Sequence, residues 1–247
     1  MIRWVFLDVG NILLDEDPLG FENFRIHWEA LRQVAPEVSF RELLAAREKR
    51  VETGSRWPLY EVISQYLDDA QCTQVWERAE RSIRSRYASL SPVIAGALDT
   101  VRKLRSHFRL GLIANQGEEC RRWLHDLGLL EAFEVVALSE EVGAHKPDLA
   151  LYRTAMERAS ALPSSCLMVG DRLDNDIIPA LSLGMKTAWI RWPQRAKKGW
   201  CPEDADAIAW RDSLERSAAI QASSPSPVQP TITLDTIAEL GGALLPR

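Results

Sequence analysis

Several stretches of the chain place polar, chemistry-bearing side chains where an apolar run stops. Phe6-Leu7-Asp8-Val9-Gly10-Asn11 closes one run, and Gly111-Leu112-Ile113-Ala114-Asn115 closes a second. Met168-Val169-Gly170-Asp171-Arg172-Leu173-Asp174-Asn175-Asp176 closes a third, and Gly143-Ala144-His145-Lys146-Pro147 lies before it. Gathered at one edge of a sheet, Asp8, Asp171 and Asp176 would repel one another and hold protons unless a counter-charge were close. A hard dication provides that charge, because Mg²⁺ prefers oxygen ligands and keeps waters that a phosphate can replace. With the metal and Lys146 holding an anionic phosphoryl group, Asp8 is free to attack phosphorus as a nucleophile.

Each of these residues also has a structural reading. Asp8 would serve as a turn cap beside Gly10, yet a carboxylate that closes an apolar strand is costly without a partner, which favours chemistry. Asp174, Asn175 and Asp176 stand where the next helix would take its N-cap. That reading is adopted for Asp174 and Asn175, whereas Asp171 and Asp176 are assigned to the site. Lys146 would pass for a surface lysine before Pro147, and only its context argues for function. Asn115 is balanced between the two readings. His145 is read as structural or exposed, and the tryptophans as core, with Trp28 or Trp57 as candidates to line a pocket.

These residues need elements to position them. Residues 4–7, 110–114, 135–138, 166–169 and 187–190 are short apolar runs of the kind that form buried strands. Helical spacing separates them: Leu98, Val101 and Leu104; Trp123, Leu124 and Leu127; Leu151, Tyr152, Ala155 and Ala159; Ile177, Ile178 and Leu181. Strands alternating with helices predict βαβ units and a parallel sheet, which binds ligands at the carboxyl ends of its strands. Residues 15–90 break the alternation. Phe21, Phe24, Trp28 and Leu31 make one helical stripe, residues 40–51 a second helix, and Trp76, Ala79, Ile83, Tyr87 and Leu90 another stripe. The expected organisation is an α/β core over 1–14 and 91–205, an inserted all-helical cap over 15–90 with a hinge at Ser91-Pro92, and an extension over 206–247. That extension contains a Pro/Ser linker at 222–230, followed by a short strand and helix that return to the core.

At 247 residues, 46% of them apolar, the chain can build one core of useful size. The net charge of −5 gives no support to a nucleic-acid or membrane-surface role, and the basic groups at 81–86 and 195–198 are read as solvated faces or loops. Cys72, Cys120, Cys166 and Cys201 show no ligand spacing and are read as reduced thiols, with Cys166 in the core. The apolar stretch at 2–14 is too short for a membrane span. The thiols lead to an expectation of a cytoplasmic protein, taken as a monomer or homodimer, while the phosphoryl chemistry of the Asp8 cluster makes a small phosphorylated metabolite the expected ligand.

The ordered set of four motifs resembles the haloacid dehalogenase superfamily, most of whose members are phosphatases. The resemblance covers residues 1–14 and 91–192 as a Rossmann-like core, with 15–90 where that family carries its helical cap. It implies that Asp8 forms an aspartyl-phosphate, that Mg²⁺ is held by Asp8, the Gly10 carbonyl and Asp171 with Asp176 close by, and that Lys146 neutralises charge on Asp8 and the phosphoryl group. Two departures stand out. The family's phosphatases usually carry a second aspartate, a general acid and base, two residues after the nucleophile; here that residue is Gly10. A well-placed acid is worth about 10²–10⁴ in rate, so turnover is expected to be attenuated. Some members that begin Asp-x-Gly-Asn nevertheless act as phosphatases, through a good leaving group or another donor. Ala114 stands where a Ser or Thr usually binds a phosphoryl oxygen, a donor worth about 10²–10³. Asn115 or Asn11 is the expected substitute. Three rivals remain: a metal-free 2-haloacid dehalogenase, which the acidic pair Asp171 and Asp176 argues against; a non-catalytic binder of phosphorylated ligands; and a phosphoacceptor receiver domain, which the long helical insertion argues against.

Overall fold

The computed structural model describes residues 1–55, 57–223 and 228–245. Its sheet is parallel throughout and comprises β1 (Trp4–Leu7), β2 (Arg109–Ala114), β3 (Val135–Leu138), β4 (Cys166–Gly170), β5 (Lys186–Ile190) and β6 (Ile232–Leu234). The order is β3-β2-β1-β4-β5-β6. Every residue of β1 and β4 is buried, as expected of central strands covered on both faces. Val5 and Leu7 pack with Leu112 and Val169 on one face, while Trp4 and Phe6 pack with Met168 and Ile113 on the other, following the period of two along a strand. The chain order reverses at β1, with β2 and β3 on one side and β4 onward on the other. A crevice therefore opens at the carboxyl ends of β1, β2 and β4.

Between β1 and β2 run α1 (Asp17–Leu31), α2 (Phe40–Glu52), α3 (Pro58–Ile63), α4 (Asp69–Ser85) and α5 (Tyr87–Leu90). Capping boxes start two of these helices: Ser39 and Glu42 on α2, Asp68 and Gln71 on α4. Phe24, Leu31, Phe40, Leu43 and Ile63 form an apolar cluster of their own, apart from the two that sandwich the sheet. The stripe expected from Trp76 to Leu90 is not one helix. It breaks at Arg86, whose backbone leaves helical geometry while its guanidinium pairs with Glu22 of α1. The short α3 escaped the sequence reading because six residues are too few to show a period. The two strands of chain that join this block to the sheet run side by side, with Asp15 N–H donating to the Pro92 carbonyl (2.8 Å) and Ile94 N–H to that of Leu13 (2.9 Å). This pairing falls beside the expected hinge.

The sheet's helices are α6 (Ala97–Arg105) and α7 (Glu118–Asp126) on the Val5 face, then α8 (Ser139–Val142), α9 (Leu149–Arg158) and α10 (Ile178–Ser182). A further helix, α11 (Ala205–Ser223), was not anticipated. It turns Trp210 into the apolar cluster of α1 and α2, so this part of the C-terminal region covers the helical block rather than the sheet. Beyond it, β6 adds to β5, and α12 (Leu240–Leu244) packs on α6, as expected of the returning segment. Residues 224–227, at the centre of the expected linker, lie outside the described residues.

One basic group is corrected. Lys198 is not solvated but fully buried. Its Nζ pairs with Asp15 and Asp17 at 2.7 Å each and donates to Asn11 Oδ1 at 2.8 Å, while Arg195 pairs with Asp17 at 2.7 Å. The turn after β5 is thereby fastened to the loop that leaves β1.

Candidate active site

Asp8 follows β1 directly, and its N–H still donates to the Val169 carbonyl of β4 (2.9 Å). Its Oδ1 accepts from Val9 N–H (2.8 Å) and pairs with Lys146 Nζ (2.8 Å). Lys146 arrives from the loop between α8 and α9 and reaches Asp176 Oδ1 at 2.6 Å as well. Asp176 Oδ2 accepts the Arg172 N–H at 2.9 Å. A π turn over Leu173–Ile177 folds Asp176 back against the end of β4. There a Cβ on Gly170 would overlap the aspartate's Cβ and Cγ, so glycine is what lets the carboxylate reach the site. Asp174 pairs with Arg172 instead of capping a helix, and the Asn175 carbonyl accepts from the Tyr152 hydroxyl, which corrects the N-cap reading of both.

One oxygen from each of Asp8, Asp171 and Asp176 lies within 4.8 Å of the others. Burial is the main reason the Asp8 carboxyl is pushed up to about 8, and the charges of Asp176 and Asp171 add to it while Lys146 opposes it. Burial, then Asp176, raises Asp171 to about 6. For Lys146 burial acts the other way, but Asp176 and Asp8 outweigh it and hold the ammonium well above its ordinary range. Three carboxylates thus face one ammonium, and the residual negative charge sits on hard oxygen donors. That donor set fits Mg²⁺. Both oxygens of Asp176 already have partners, so Asp171 and Asp8 offer the more open ligands.

The other expected site residues fall as follows. Asn115, past the end of β2, accepts from Lys146 N–H with Oδ1 (2.6 Å) and donates from Nδ2 to the Lys146 carbonyl (3.0 Å). It holds the loop that delivers Lys146, and one amide hydrogen is left for a ligand. Ala114 is buried and contributes no donor. Asn11 takes up a left-handed conformation (φ 56°), and its Oδ1 accepts from Lys198 Nζ. Gly10 lies in the tight turn between Asp8 and Asn11. Trp57 lines the cleft between the helical block and the sheet, while Trp28 packs within the block with Nε1 bonded to the Val38 carbonyl. His145 is exposed, as expected, and the cysteines are all free, with Cys166 in the core.

Sequence reasoning missed Glu16. It precedes α1 and lines the same cleft as Asp171 and Asn11. A Cβ on Gly10 would fall 2.6 Å from its Cδ. Burial pushes the Glu16 carboxyl up to about 7, against a hydrogen bond from Gln116 and with the Asp171 charge adding to the rise. Gln116 could have been found as the next residue at the end of β2. Glu16 carries no local signal, because a turn in three dimensions returns it to the site.

With this geometry in hand, comparison with known proteins gives a consistent result. The family model described as haloacid dehalogenase-like hydrolase matches residues 12–190. A glyceraldehyde 3-phosphate phosphatase of Methanopyrus kandleri is 30% identical over 199 residues, which is 77% of this chain and 84% of that one. One from Pyrococcus furiosus is 27% identical, covering 79% and 83%. Among solved structures, a predicted phosphoglycolate phosphatase from Haemophilus somnus superimposes with a TM-score of 0.66 at 16% identity, over 99% of this chain and 98% of that one. The chain belongs to the haloacid dehalogenase-like hydrolases.

Proposed function

We propose that the protein is a Mg²⁺-dependent phosphatase of small phosphomonoesters, with Asp8 as the nucleophile and the helices over 15–90 as its cap. The observation that carries this reading is the array at the strand ends: Asp8 oriented by Val9 N–H and Lys146, and an acidic cluster completed by Asp171 and Asp176. The activities named for the glyceraldehyde 3-phosphate phosphatases support it. Asp8, Asp171 and the Gly10 carbonyl would hold the ion, with Asp176 beside them. When bound, Mg²⁺ neutralises phosphoryl charge and lowers the repulsion between substrate and carboxylates.

The chain's own groups do the rest. Lys146 places its ammonium against Asp8 Oδ1, where it stabilises the carboxylate and then the negative charge that the phosphoryl group brings. Asp176 and Asn115 fix Lys146 at its head and its backbone. The cleft above, about 770 Å³, suits a ligand of metabolite size, and of its lining arginines Arg172 and Arg195 are paired with Asp174 and Asp17. A dehalogenase reading is disfavoured because Asp171 and Asp176 converge with Asp8 in a group of carboxylates that could hold a metal ion.

A panel of phosphorylated metabolites assayed with and without Mg²⁺ tests the proposal. Turnover should require the ion and disappear in Asp171→Ala. Turnover unaffected by chelation, or full activity in Asp171→Ala, would contradict it.

A further inference from the structure

The space that a side chain at position 10 would occupy is already filled. A Cβ built on Gly10 would lie 2.6 Å from Cδ and 2.8 Å from Oε1 of Glu16, so the glutamate carboxylate stands where a residue-10 side chain would begin. The turn that brings it there is closed by Leu13 N–H and Leu14 N–H on the Val9 carbonyl (2.8 and 3.0 Å) and by Asn11 N–H on that of Leu14 (2.7 Å). Glu16 precedes α1, but its side chain does not cap that helix. Gln116 donates from Nε2 to Glu16 Oε1, and the Tyr87 hydroxyl donates to Gln116 Oε1 at 2.9 Å. The carboxylate is thus aimed by two residues from other elements. Among the described residues no cation pairs with it, and no hydrogen bond reaches its Oε2. A buried-edge acid that is oriented, unpaired and open on one oxygen beside the nucleophile's loop has the attributes of a proton carrier.

We propose that Glu16 is the general acid and base of this enzyme, supplying from the start of α1 what Gly10 lacks. The inference rests on the phosphatase reading. In the first step an Asp8 carboxylate oxygen bonds to phosphorus, the P–O ester bond breaks, and the leaving oxygen takes the proton from the Glu16 carboxyl to become an alcohol. In the second step a water oxygen bonds to phosphorus while Glu16 takes one of its protons. The P–O bond to Asp8 breaks, and phosphate leaves with Asp8 restored and Glu16 protonated again. The sum is ester plus water giving alcohol plus phosphate.

The test is turnover of paired substrates, an alkyl phosphate and 4-nitrophenyl phosphate, by the wild type, Glu16→Gln, Glu16→Ala and the swap Glu16→Ala/Gly10→Asp, with Asp8→Asn as control. Removing the acid should lower alkyl phosphate turnover by about 10²–10⁴. With the nitrophenyl ester, whose leaving group needs little protonation, Glu16→Gln should keep its initial burst of nitrophenol while the steady state slows. The swap has room for an aspartate once Glu16 is shortened, and should regain at least tenfold over Glu16→Ala on the alkyl ester. Alkyl turnover within about threefold of wild type in Glu16→Gln would overturn the proposal, using the general acid–base range as the yardstick. So would equal losses on both substrates with no recovery in the swap, which is how a purely structural glutamate would behave. Failure of the phosphatase reading looks different: the wild type would show no Asp8-dependent turnover of either ester, and the role of Glu16 would fall with it.

Discussion

Gly170 ends β4 so close to Asp176 that a methyl group would overlap the aspartate's Cβ and Cγ. Asp176 is a short side chain on a π turn and has little freedom to retreat. In Gly170→Ala the turn must shift, at a cost typical of overpacking of about 1–3 kcal/mol, and Asp176 must move away from Lys146. The expected outcome is a lower urea midpoint together with at least a tenfold rise in the Mg²⁺ concentration that half-saturates activity, the order of effect typical of disturbed support around a metal site. Wild-type values for both would show that the packing at this corner is looser than described. Asp8 and Asp171 were legible in the sequence because an apolar run that stops at a carboxylate is a local pattern, whereas Lys146, in the loop between α8 and α9, was legible only from the motifs around it. The uses of Asn11 and Asn115 were not legible. Each binds a group far along the chain, Lys198 for one and the Lys146 backbone for the other, and no spacing rule reports such contacts.

At the scale of elements, two ion clusters join parts that the sequence presents separately. Lys198 lies between Asp15 and Asp17, with Arg195 sharing Asp17. Removal of one partner from a buried cluster leaves uncompensated charge, so Lys198→Ala should destabilise the fold by about 3–5 kcal/mol in equilibrium denaturation. A loss within 0.5 kcal/mol, the range of ordinary surface substitutions, would mean that the cluster is not desolvated as described. The second cluster holds α1 to the break between α4 and α5. Burial pushes the Glu22 carboxyl up, but hydrogen bonds from Arg86 and Arg25 outweigh it and leave Glu22 below its ordinary range. A depressed carboxyl contributes stability above its unfolded value, about 4.3, and loses that contribution as pH falls through the folded value. The stability gap between wild type and Glu22→Gln should therefore be constant near neutrality and shrink below about pH 4, as urea titrations across pH would record. A gap independent of pH would assign the effect to packing alone. The strands were readable because five of them are apolar runs within one residue of their expected ends. α11 was not readable, because alanines recur all round it and its buried face at Ala207, Trp210 and Ser213 carries one large apolar side chain and one serine, too little to form a stripe.

On the scale of the whole molecule, the parallel sheet with its switch point at β1 and the helices between β1 and β2 put a metabolite-sized cleft over one acidic corner. The order of strands and helices was legible since their periods alternate except over 15–90. The completion of the site was not, since Glu16, Gln116 and Tyr87 meet only once the helical block has docked over the sheet. Every proposed step passes through a covalent bond between Asp8 and phosphorus. Borohydride reduces an aspartyl-phosphate to homoserine but leaves a free carboxylate intact, so peptide mass spectrometry after quenching the working enzyme reads that bond directly. With a phosphomonoester substrate and Mg²⁺ present, the peptide containing position 8 should carry homoserine in place of Asp8. It should remain unmodified without substrate, and the Asp8→Asn protein should neither turn over nor trap. An enzyme that hydrolyses the ester steadily while Asp8 is never converted, even in Glu16→Gln where the intermediate should accumulate, would contradict the account.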